Sequence, residues 1–130
     1  MVGSIRFRYD YVNDIHVAHV NWHIETKEDC LVWHKQLEDY FKKVGKKVDI
    51  VYVCDDLQIA SKIGAVWGKY RADLNARFVR YSVRVHMNAK VATYTATSAA
   101  LHGTSFDEAR DVPSAILFIT EKRRCGASTS

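Results

Sequence analysis

The sequence predicts an α/β fold: a single mixed β-sheet in the order β-β-α-β-α-β-α-(β)-α, with helices mainly on one face. Three observations predict it. Two alternating strands open the chain and read as an antiparallel hairpin. After them, β-branched runs alternate with amphipathic helical patterns, as parallel crossovers require. The second and fourth long strands each carry a polar face, so one side of the sheet should stay partly solvated.

The first strand, residues 5–11, sets Ile5, Phe7, Tyr9 and Tyr11 against Arg6, Arg8 and Asp10. "VND" supplies the turn. In the second strand Ala18, Val20, Trp22 and Ile24 share one face, while His19, Asn21 and His23 share the other. The first helix has the clearest signals. Thr26 is its N-cap, with Asp29 three residues on as in a capping box, and Gly45 is its stop. Cys30, Trp33, Leu37, Tyr40, Phe41 and Val44 make its apolar stripe.

"KVDIVYVC" is a short, β-branched strand well covered by other elements. "DDLQIA" then leads into a second helix, striped by Ile63, Val66, Trp67, Tyr70 and Leu74. Gly64 and Gly68 cost that helix about 1 kcal/mol each and are expected where a neighbouring backbone comes close. In the fourth strand Val79, Tyr81, Val83 and Val85 face in, while Arg80, Ser82, Arg84 and His86 face out. Residues 88–102 read as a helix capped by Asn88 and ended by Gly103, or as a hairpin strand, because "VATYTAT" is rich in β-branched residues. "TSFDEA" is a short strand, and Asp111 with Pro113 opens a short last helix, "VPSAILFIT". The expected domain is residues 1–122, with 123–130 a flexible C-terminal tail.

The bulk numbers narrow the function classes. With 130 residues the chain is one domain, and 48% hydrophobic and 26% charged residues are ordinary globular values. A net charge of +4 is too dilute for a dedicated nucleic-acid binder. Cys30, Cys54 and Cys125 are odd in number and in no CxxC pattern, so reduced thiols in a cytoplasmic protein are expected. The charged start has no apolar run of the signal-peptide kind, and no stretch is long enough to span a membrane.

No nucleotide-binding, serine-hydrolase or zinc-protease motif is present, and the chain reads as non-catalytic, with no cofactor. His19 and His23 are about 13 Å apart along a strand, too far for one metal ion. Asp55 and Asp56 follow the end of a strand, where α/β sheets place ligands, yet turn formation explains them as well. Ser61 either caps the second helix or, at a helix N-terminus that favours added phosphate, acts as a switch. Arg6, Arg8, Arg80 and Arg84 would form a basic sheet face if their strands are neighbours, the basis of a weak nucleic-acid-binding alternative.

From the third strand onward, "IVYVCDDLQIASKIGAVWGKY", "VRYSVRVHMNAKVATYTATSAALHG" and "SFDEARDVPSAILFI" together resemble the STAS domain family. That family comprises the bacterial anti-sigma factor antagonists and sulfate-transporter C-terminal domains. The resemblance covers residues 14–120 and lies in pattern. It implies a protein-binding regulatory module whose partner is an anti-sigma-like kinase or signalling protein, with homodimerisation. Ser61 falls about where the family's phosphorylated serine sits, and Asp55, Asp56, Gln58, Ser61, Lys62 and Gly64 would form the partner or ligand surface. The family's acidic residue before the serine is Ala60 here, and the glycine is displaced to Gly64. A small-molecule sensor, with a pocket between this loop and Trp67 or Tyr70, is the further alternative.

Overall fold

The computed structural model describes residues 3–103 and 107–128. Its strands are β1 (Ser4–Asp10), β2 (Ile15–Ile24), β3 (Val48–Ile59), β4 (Val79–Val85) and β5 (Glu108–Ala109). Its helices are α1 (Lys27–Val44), α2 (Gly64–Phe78), α3 (Ala89–His102) and α4 (Val112–Ser128), with a 3-10 turn at Ser61–Ile63. The strands form one mixed sheet in the order β1-β2-β3-β4-β5. β1 and β2 are the antiparallel hairpin, and the remaining pairs are parallel. The α/β architecture and the element order are those expected. The segment 104–106, where the last short strand was expected to begin, lies outside the described residues.

Local chemistry explains the boundaries. Asp10 Oδ1 accepts from Val12 N and Asn13 N at 3.1 Å each, closing the hairpin turn. The capping box of α1 is complete: Asp29 N donates to Thr26 Oγ1, and Thr26 N donates back to Asp29 Oδ2. Gly45 ends the helix at φ 78°, which glycine adopts without a Cβ penalty. Residues 89–102 are helical despite their β-branched content. Asn88 Oδ1 accepts from Val91 N, and Asn88 Nδ2 ties the cap to Leu57 O. Burial of Val91 and Thr95 against neighbouring elements outweighs the weak helix propensity.

Helices pack on both faces of the sheet. Helices α1, α2 and α3 lie over one face, where Trp33, Leu37, Phe41, Trp67, Leu74 and Val91 meet Val20, Trp22, Ile50 and Leu57. Helix α4 lies on the other, its Ala115 and Ile119 against Val17, Val51, Val83 and Val85. All three tryptophans are buried as their stripes require. Gly64 and Gly68 let α3 approach: a Cβ on Gly64 would sit 2.8 Å from the Tyr94 ring, and one on Gly68 would sit 3.0 Å from Ser98 Cβ. The Ser98 hydroxyl uses that proximity to donate to Gly68 O at 2.6 Å.

Three expectations need correction. The last helix is not short. α4 runs through the expected tail to Ser128, and the boundary at residue 122 falls inside it. Arg123 on this helix bonds the backbone carbonyls of Asn13 and Asp14 and the carboxylate of Asp49. The third strand does not stop at Cys54 but runs to Ile59. Ser82 and Arg84 do not face solvent, because α2 covers them.

Candidate functional site

The acidic pair is explained by a β-bulge. Between His19↔Val53 and Asn21↔Asp56, β3 carries one more residue than β2. The extra residue inverts the alternation of side chains. Before it, Tyr52 and Cys54 face the helices; after it, Leu57 and Ile59 do, while Asp56 and Gln58 turn to the opposite face beside Asn21 and His23. Asp55 and Asp56 therefore lie within a strand and are not the loop that follows one. α4 lies over β3, β4 and β5 and leaves this corner open. Asn21, His23, Glu25, Asp55, Asp56 and Gln58 line one shallow groove.

The remaining predicted residues separate around that rim. Ser61 is exposed and starts the 3-10 turn; Ala60 holds the cap position and no side chain caps the turn. The expected capping role of Ser61 is thus absent. Lys62 is exposed beside it, whereas Gly64 is buried against Tyr94 and belongs to packing. The expected basic face does not assemble. Arg6 and Arg8 are exposed on the edge strand, Arg80 is paired with Asp49, and Arg84 is buried under the helices.

Nucleophile and metal readings gain nothing. Burial pushes the Cys30 thiol up to about 11 and Cys54 to about 12, away from reactive thiolate. Among the described residues no three His, Cys, Asp or Glu side chains could hold a metal ion. His16 is committed to the Tyr40 hydroxyl at 2.6 Å, and His34 to Asp73 at 2.8 Å. No helix among the described residues is long and apolar enough to cross a membrane.

A second feature, unforeseen in the sequence, lies beneath the helices. Between the sheet and α1, α2 and α3 is a cavity of about 30 Å³, lined by Trp33, Tyr52, Trp67, Arg71, Arg84 and Thr95 among others. No carboxylate is among its described lining residues. The Arg84 guanidinium donates to Ser82 Oγ at 2.6 Å and lies 5.2 Å from the centre of the Tyr52 ring. Ser82 in turn bonds Asn75 on α2. Arg71 donates to Ser98 Oγ at 3.3 Å. Burial, followed by the charge of Arg84, pushes Arg71 down to about 9, and burial likewise lowers Arg84. The indole N–H groups of Trp33 and Trp67 have no hydrogen-bond partner among the described residues.

One sequence signal pointed here. Trp67, Arg71 and Asn75 recur at four-residue spacing, which places two polar side chains on the buried stripe of α2. No family model matches the chain, and no curated protein matches its sequence.

Proposed function

We propose that this chain is a non-catalytic regulatory module that binds a protein partner through the rim formed by the ends of β2 and β3 and the turn at Ser61. The reading agrees with the STAS resemblance. The observation that supports it is the rim's construction. A bulge within β3 puts acidic and polar side chains on an uncovered face, next to a serine whose hydroxyl caps nothing. Glu25, Asp29, Asp55 and Asp56 make the groove acidic, so the complementary partner surface is basic. Phosphate on Ser61 would add about −1.5 to −2 charges at the entrance to α2 and change which surface fits. No disulfide joins the described cysteines, which suits a cytoplasmic setting, and the unpaired edge of β1 suits a homodimer.

The test compares three forms of the chain as baits in native lysate: wild type, the pair Asp55→Lys with Asp56→Lys, and Ser61→Asp. A partner retained by wild type, lost with the lysine pair and altered with Ser61→Asp supports the rim. Equal capture by all three, with unchanged circular dichroism, rejects it. Sedimentation as a monomer at high concentration would reject the homodimer.

A further inference from the structure

We infer that the cavity beneath α1, α2 and α3 binds a small monovalent anion, a halide or the carboxylate of a one- or two-carbon acid, held by the Arg84 guanidinium. The site is independent of the rim, and its chemistry follows from three properties of the chain.

The first is uncompensated charge. Arg84 is 4% exposed, and among the described residues no carboxylate lies within ion-pairing distance of it. Arginine cannot relieve such burial by releasing its proton near neutral pH. A second guanidinium, that of Arg71, lines the same cavity. The Ser82 hydroxyl and the Tyr52 ring supply a dipole and a π-face, but neither carries the opposite charge. No described carboxylate contacts the guanidinium, the nearest influence being the more distant charge of Asp107, so a guest is the source of a directly paired negative charge.

The second is a set of donors around room for one guest. The cavity offers about 30 Å³, more than one water molecule needs. That suits chloride, bromide or formate and excludes a nucleotide or a sugar phosphate. Trp33 and Trp67 line this space, and their N–H groups have no partner among the described residues. Indole N–H is a donor only, so it suits an anion and has nothing to offer a cation.

The third is hydrophobic enclosure. Val20, Leu57, Leu74 and Val91 complete the walls, and in such surroundings a charge-assisted hydrogen bond is stronger than in water. A surface arginine could not give comparable selectivity.

The two lining tryptophans provide the readout. The full chain is titrated with sodium bromide in urea-free, chloride-free buffer, with sodium isethionate holding the ionic strength constant. Bromide bound beside Trp33 and Trp67 quenches emission to a plateau, with Trp22 still emitting because it does not line the cavity. Formate and acetate, which do not quench, should displace bromide and restore the emission. If formate restores it and acetate does not, the guest is limited to one-carbon acids and halides. Arg84→Met should weaken bromide binding about tenfold or more, the loss of one charged hydrogen bond. Arg84→Lys keeps the charge, changes the fork and gives an intermediate midpoint. Should either variant fail to fold, the wild-type titration still decides. Quenching of wild type that rises linearly without a plateau, or a plateau indifferent to formate, overturns the proposal.

Discussion

Asp49 and Arg84 are both charged residues buried in the sheet, and they are treated in opposite ways. Asp49 faces α4 and is 1% exposed at its side chain. It receives Arg80 Nη2 at 2.5 Å, Arg123 Nε at 2.6 Å and the backbone N–H of Tyr81 at 3.2 Å. Burial alone would raise its carboxyl, but hydrogen bonds from Arg80 and Arg123 outweigh that and hold it below the usual range. Arg84 faces the other helical layer and has a hydroxyl and an aromatic ring in place of a counter-charge. The first arrangement is complete within the chain: it fastens α4 to the starts of β2 and β3. The second is incomplete within the described residues, and incompleteness in a buried site points to a guest. A buried charge therefore says little by itself, and its partners decide whether it serves folding or binding.

Substitutions at four positions probe that contrast, from the largest effect to the smallest. Trp33→Ala, on the cavity wall, should cost about 3–5 kcal/mol in urea melts because the side chain is core. Asp49→Ala should cost about 3 kcal/mol, the low end for breaking a buried pair, since Arg80 and Arg123 can regain water. Asp49 also sets a pH signature. Its folded pKa is depressed, so its contribution is present above about 3.9, the unfolded value, and is lost as pH falls toward the folded value. Asp49→Asn should flatten the acid limb of a stability–pH profile; an unchanged limb would place the acid sensitivity elsewhere.

Gly68→Ala tests the α2–α3 contact that roofs the cavity. Helix propensity favours alanine by about 1 kcal/mol, but the added Cβ meets Ser98 at 3.0 Å. The expected result is a net loss of about 1 kcal/mol, as overpacking predicts. A gain in stability would mean that α3 moves freely. Ser61→Ala should change stability by less than about 0.5 kcal/mol, because Ser61 is a surface residue that caps nothing. A loss of about 1 kcal/mol would restore its capping role.

The elements were legible wherever local chemistry decides them. Thr26 with Asp29, Gly45, Asn88 and Gly103 announce their helix ends because capping acts over three or four residues. The fate of polar residues on strands was not legible. Ser82 and Arg84 alternate with valines just as a solvated face does, and only the docking of α2 buries them. The bulge at Asp55 was hidden for a similar reason. A single inserted residue looks like the end of a strand until the partner strand continues past it. The nearness of Asp55, Asp56, Gln58 and Ser61 was legible, because they lie within seven residues of one another. The cavity was not, because its two arginines come from a helix and a strand whose contact is purely tertiary.

The contrast between the two buried charges can be read in one pair of urea melts in chloride-free buffer, on Asp49→Asn and Arg84→Met. Urea is required because guanidinium chloride would supply an anion. Asp49→Asn should lose stability, since it strips two arginines of their partner. Arg84→Met should equal wild type or exceed it by about 1 kcal/mol, since it replaces an unmatched buried charge with an apolar side chain. If Arg84→Met instead loses as much stability as Asp49→Asn, Arg84 is a structural residue whose charge the folded chain already satisfies, and the account of the cavity is wrong.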